Sequence, residues 1–176
     1  MTIRKSDGFA LLDVIFVCGI IGLIISIALP RLVLAKQTAG AASAIGTLRT
    51  IASAELTFAL TCGNGFYAPD LTWLGTAPPG SNEPFIGGGM GEAPSVQKSS
   101  YTFRMEAMPY SGAPATCNGL TAGEAGQGYV AVADPTEPTN PRFFGLNSNA
   151  QLYEHNATLW PDMPETGEPP RGTVIR

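Results

Sequence analysis

At 176 residues the chain is long enough for one soluble domain beside a membrane helix, and too short for two. Its formal net charge of −4 is mild, and no basic stripe is present, which excludes the electrostatic footprint of a nucleic-acid binder. The 21 glycines and 15 prolines crowd after Cys62, so the second half is predicted to be loop-rich with short strands.

Met1 to Gly8 is short and polar, carries Arg4 and Lys5, and reads as a targeting segment outside the fold. From Phe9 to Leu29 the chain is apolar, with Asp13 as the one charge. About 20 such residues suffice to cross a bilayer as a helix. Pro30 and Arg31 follow Leu29 where a secretory signal would show small residues and a cleavage site, so the apolar run is expected to be retained. Arg4 and Lys5 precede it and Arg31, Lys36 and Arg49 follow it, so positive charge alone does not set the orientation.

Phe9 to about Leu60 is predicted as one helix, roughly 75–80 Å long at about 1.5 Å per residue. Residues 9–29 form its apolar part and 30–62 its amphipathic part. Pro30 at the join lacks a backbone donor and crowds the carbonyl of Ser26, which predicts a kink. Beyond it, Leu34, Ala41, Ile45, Leu48, Ala52 and Ala59 recur at threes, fours and sevens, with Ala44, Ile51 and Phe58 beside them. In Cys62-Gly63-Asn64-Gly65, Gly63 is expected to take the left-handed conformation that ends the helix.

Residues 63–176 are predicted to form the sheet domain. Phe66 to Pro94 reads as a loop with one helical turn between Pro69 and Leu74. Ser99–Met105 and Gly128–Ala133 read as strands. Arg142–Leu146 and Ala150–Glu154 flank the turn cluster Asn147-Ser148-Asn149 as a hairpin. After His155 the chain is Pro-rich and polar, as a tail packed loosely on the sheet or disordered. The fold class is α+β: a long N-terminal helix whose amphipathic half lies on a small antiparallel sheet of three or four strands. The sheet face expected over Ile45, Leu48 and Ala52 comprises Tyr101, Phe103, Val130, Val132, Phe144 and Leu152.

Residues that could carry chemistry are few. His155 is the one histidine and stands in a polar stretch. Cys18 lies in the apolar run and reads as a small buried hydrophobe. Cys62 and Cys117 lie in the polar half; in an oxidising compartment they can pair, and otherwise they stay as thiols. With the two bridged, no Cys/His zinc cluster can be assembled. Gly87-Gly88-Gly89 and Gly123-Glu124-Ala125-Gly126 lack the Lys-Ser/Thr of a phosphate loop and read as turns. Asp134, Glu137 and Asn140 offer carboxylate and amide oxygens that could ligate calcium, against a plain solvated loop interrupted by Pro135 and Pro138. The chain is therefore expected to have no catalytic residues and, calcium aside, no cofactor.

The start Gly8-Phe9-Ala10-Leu11-Leu12-Asp13 resembles that of the type IV pilins and type II secretion pseudopilins, over about 50 residues. The resemblance implies that a prepilin peptidase cuts between Gly8 and Phe9 and methylates the new terminus. Pro30 is then the twenty-second mature residue and Gly22 the fourteenth, as in the family. Asp13 is the fifth, where the family normally has Glu, one methylene longer.

The family's pattern implies an inner-membrane protein with its soluble half in the periplasm, a topology that a Cys62–Cys117 bridge would also favour. Such a subunit packs helix to helix with like subunits in a periplasmic or extracellular filament, driven by a membrane platform protein and an ATPase. Phe9, Asp13, Gly22 and Pro30 would be its assembly residues. For Asp13 the resemblance implies a contact with the Phe9 amine of a neighbour, because an ionisable group in an apolar run needs a partner. The plainer reading is a first-turn carboxylate favoured by the helix dipole. The rival for the whole chain is a single-span anchored periplasmic binding or adhesion protein that does not polymerise.

Overall fold

The computed structural model describes residues 11–175; the expected leader 1–8 and its Gly8–Phe9 junction lie outside the described residues. The chain divides into a first unit ending at Ala39 and a second, Gly40–Arg176.

Helix α1, Leu11–Thr61, runs through Pro30 as one α-helix. In the second unit its buried stripe includes Ala41, Ala44, Leu48, Ile51, Ala54 and Phe58, continued by Cys62 just past its end. These steps of three and four keep one face turned inward. Ile45 and Ala52 sit at the margin of this stripe, half-buried. The helix does not end on a left-handed Gly63 as expected. Positive φ falls instead on Asn64 (54°) and Gly65 (91°), and the Gly65 N–H reaches back to the Ala59 carbonyl at 2.8 Å. Gly63 is required for space: a Cβ there would lie 2.2 Å from the Phe66 carbonyl oxygen and 2.8 Å from the Phe58 ring.

The loop after α1 contains the short helix α2, Leu71–Leu74, where one helical turn was predicted. The Asp70 carboxylate caps it by accepting from the Thr72 and Trp73 N–H groups. The loop is also less superficial than its composition suggested. Ala68, Leu71, Leu74, Ile86 and Met90 all join the core, and Phe85 meets Phe58 edge-on at 5.2 Å. Gly75 and Gly91 touch backbone to backbone, and a Cβ on Gly75 would sit 2.4 Å from the Gly91 carbonyl oxygen.

The sheet has six strands, not three or four: β1 Ser95–Lys98, β2 Tyr101–Glu106, β3 Val130–Pro135, β4 Phe143–Asn147, β5 Leu152–His155 and β6 Thr173–Val174. They form one antiparallel meander in which each strand pairs with the next. The predicted strand from Ser99 begins only at Tyr101. Ser99 (φ 51°) and Ser100 (φ 66°) are the two-residue turn joining β1 to β2, a conformation whose twist suits a tight hairpin. The β4–β5 hairpin forms where Asn147-Ser148-Asn149 placed it, with Ala150 at φ 56°.

Tyr101, Phe103, Met105, Ala131, Ala133, Phe144, Leu146 and Leu152 meet the α1 stripe on one sheet face. Val130 and Val132 do not, contrary to expectation. They lie with Tyr153 on the opposite face, beneath Leu159 and Met163 of the C-terminal segment, with Trp160 packed alongside. Register explains this: Phe103 pairs with Ala133 and Ala133 with Phe144, so odd residues of β3 face the helix and even ones face away. The C-terminal segment is thus a packed layer, and not a loose tail. Asn147 Nδ2 donates to the Pro164 and Gly167 carbonyls, and the Ser148 N–H to that of Glu165.

Candidate functional site

The assembly residues expected from sequence lie on the first stretch of α1. Every described side chain from Leu11 to Lys36 is exposed, including Phe16 at 67%, Leu23 at 70% and Ile27 at 66%. Fully burying such a side chain stabilises by about 1.5–3 kcal/mol relative to leaving it in water. A run of this kind in water would be strongly unfavourable. This helix is long and apolar enough to span a membrane. Asp13 lies exposed in its first turn. Gly22 and Pro30 lie within it, and a Cβ added at Gly19 or Gly22 would meet nothing within 4 Å. Cys18, expected to be buried, is exposed, because a single helix offers no second surface to cover it. Gly8 and Phe9 lie outside the described residues.

The second unit holds the other expected residues. Cys62 and Cys117 form a disulfide with Cα atoms 4.9 Å apart, and the Cys117 N–H donates to the Cys62 carbonyl at 3.2 Å. The bridge ties the end of α1 to a loop whose Ala113, Leu120 and Ala125 make a small cluster with Phe66 and Trp73.

The calcium candidates are engaged inside the fold. The Asp134 carboxylate accepts from Arg104 at 2.5 Å and from the Thr158 hydroxyl at 2.9 Å. Asn140 is buried; its amide donates to the Tyr101 hydroxyl and its carbonyl oxygen accepts from the Arg142 N–H. The Glu137 carbonyl accepts from the Asn140 N–H. Among the described residues no group of three His, Cys, Asp or Glu side chains is placed to hold a metal. His155 Nδ1 accepts from the Ala157 N–H at 3.1 Å and shapes the turn after β5.

Comparison with protein-family models, with curated proteins and with solved structures finds no match for the chain.

Three polar features were not anticipated from sequence. Arg142 grips Glu154 through two nitrogens, at 2.5 and 3.0 Å, across β4–β5, and Glu154 raises the arginine's pKa. Arg104, fixed by Asp134, stacks over the Trp160 ring at 5.0 Å and ties the C-terminal layer to β2. The third feature is Glu55, fully buried on the inward face of α1. Its Oε2 accepts the Ala68 N–H at 2.9 Å, while Oε1 has no hydrogen-bond partner. Burial pushes this carboxyl up to about 8, only partly opposed by the Ala68 N–H. Burial likewise pushes the Tyr129 hydroxyl up, reinforced by the negative charge that Glu55 would carry. The signal was present in the sequence: Glu55 stands seven residues after Leu48 and three before Phe58, inside the apolar stripe.

Proposed function

We propose that the chain is a pilin-like structural subunit that is held in the inner membrane by residues 9–29 and assembles through this helix into a type IV pilus or a type II secretion pseudopilus. The observation that carries the reading is the run of exposed, mostly apolar described side chains from Leu11 to Leu34. It belongs to the same helix that, beyond Ala39, supplies the core of a disulfide-bonded α+β unit. Such a helix has two environments open to it in turn: lipid, and the side chains of like helices. The bridge supports a soluble half in an oxidising compartment, the periplasm on this reading. Prepilin peptidase would release Phe9, and a platform protein with its ATPase would lift the subunit from the membrane.

Asp13 is the residue that distinguishes assembly from anchoring. A carboxylate on an apolar helix is costly without a partner, and on this reading the partner is the Phe9 amine of the next subunit. Asp13→Ala is therefore expected to abolish or strongly reduce filaments while leaving expression, membrane insertion and the soluble fold unchanged. Asp13→Glu should preserve or increase filament yield. Electron microscopy of sheared filaments decides between the outcomes. A wild-type protein that stays monomeric and keeps Met1–Gly8 would instead be the single-span binding or adhesion protein.

A further inference from the structure

Glu55 has no part in the assembly reading, and its surroundings single it out. It is 0% exposed, with one hydrogen bond for two oxygens. A buried polar atom left unpartnered costs about 1–3 kcal/mol, more when charged. The titratable group facing it is Tyr129, just ahead of β3, whose ring lies 5.0 Å from that of Tyr67. Neither is a cation at neutral pH. On its own helix, Arg49 lies on the exposed side, and the bridged Cys62 does not titrate. No basic side chain enters among the influences on the carboxyl, which are its burial and the Ala68 N–H.

The group that Glu55 holds belongs to the segment leaving α1. Tyr67 exchanges hydrogen bonds with Gly126 at 2.9 and 3.0 Å, Ala68 is tied to Glu55, and the Pro69 carbonyl accepts from the Ala107 N–H at 3.1 Å. The stretch is fixed at one end by the Cys62–Cys117 bridge and at the other by the cap of α2 at Asp70. Between these two fixed points, Ala68 is the residue bonded to Glu55.

We propose that Glu55 is a proton-operated latch: as the neutral acid it remains buried and holds Phe66–Pro69 against α1, and its ionisation, with the proton passing to solvent, favours lifting of that segment so that water reaches the carboxylate. The closed form keeps a proton that the opened form gives up, so acid favours closure and alkali favours opening. With the carboxyl at about 8 when closed and at its ordinary 4.5 when hydrated, the open fraction rises about tenfold per pH unit between those values and levels off above them.

Amide hydrogen exchange by NMR on the full chain in micelles, from pH 5 to 8.5, tests the latch. Each rate is divided by its intrinsic rate to remove base catalysis. The protection of the Ala68 amide is expected to fall about tenfold per pH unit up to about pH 8 and to level off above it, while the β3 amides keep theirs. In Glu55→Gln, which is isosteric and still accepts from Ala68, the slope should vanish. A flat Ala68 profile in the wild type, the same slope in the variant, or a parallel fall throughout β3 would each overturn the proposal. A carbon-NMR titration of the wild-type Glu55 carboxyl needs no variant, and a midpoint in the ordinary carboxylate range would also overturn it.

Discussion

Removing the Cys62–Cys117 bridge should destabilise the second unit chiefly through its unfolded state. The bridge closes a loop with a sequence separation of 55. In the chain-entropy model a loop of this length is worth about 4 kcal/mol at 25 °C. The folded loop has its own supports. Asn118 Nδ2 donates to the Trp73 carbonyl at 2.9 Å, the Leu120 N–H to Thr116 Oγ1 at 3.2 Å, and the Gly123 N–H to the Ala113 carbonyl at 2.8 Å. The native state should therefore change little in the double variant Cys62→Ala/Cys117→Ala. The unfolded chain, no longer tethered, exposes more surface, so the urea m-value should rise as the midpoint falls. Unfolding of the full chain in micelles can be followed by the fluorescence of Trp73, beside the bridged loop, and Trp160, on the far sheet face. The expected result is a loss of about 4 kcal/mol, or a fall in Tm on the order of 10 °C. A loss below about 1 kcal/mol with an unchanged m-value would refute the argument, since the tether would then not act on the unfolded chain.

Intact-mass measurement of the membrane-extracted protein should show loss of Met1–Gly8 and gain of one methyl group, and a mature protein that still carries Met1 would remove the assembly reading. Gly75→Ala should cost about 1–3 kcal/mol in thermal or urea unfolding, because its new Cβ meets the Gly91 backbone and not a movable side chain. Phe58→Ala, which empties a fully buried position between Phe85 and the Gly63 turn, should cost about 3–5 kcal/mol by the same assay. Arg142→Met should cost at most about 1 kcal/mol, and that cost should shrink in 1 M salt, because both partners are part-exposed.

The long helix, its inward stripe, the disulfide and the β4–β5 hairpin were legible because each has a local signature. Residues from Ala41 to Cys62 repeat at helical spacing, Cys62 and Cys117 are the two cysteines of the polar half, and Asn147-Ser148-Asn149 separates two short apolar runs. What escaped had no such signature. In Val130-Ala131-Val132-Ala133 both faces are apolar, so alternation cannot say which side meets the helix; only the pairing with Phe103 and Phe144 decides it. β1, Ser-Val-Gln-Lys, lies mostly exposed at the sheet edge and carries no period. The layer over Val132 depends on Leu159 and Met163, spaced among prolines and unreadable without the surface they cover. Glu55 was visible as a charge within the stripe, but its one bond goes to Ala68, which turns back only after the helix ends.

The order of the strands also bears on how the second unit forms during synthesis. Because every strand lies beside its sequence neighbour, each newly emerged segment finds its template already made, and no strand must wait for one encoded far downstream. Short-range closures of this kind carry small entropic penalties and favour rapid acquisition of structure. The widest excursion between strands, from Glu106 to Val130, contains Cys117. That thiol precedes β3 in the chain, so once exported into an oxidising compartment it can be oxidised against Cys62 before β4–β6 have added. The covalent clasp would then deliver β3 to β2 at a fixed distance from the helix, and the rest of the meander would add like successive rows of knitting onto an edge already anchored.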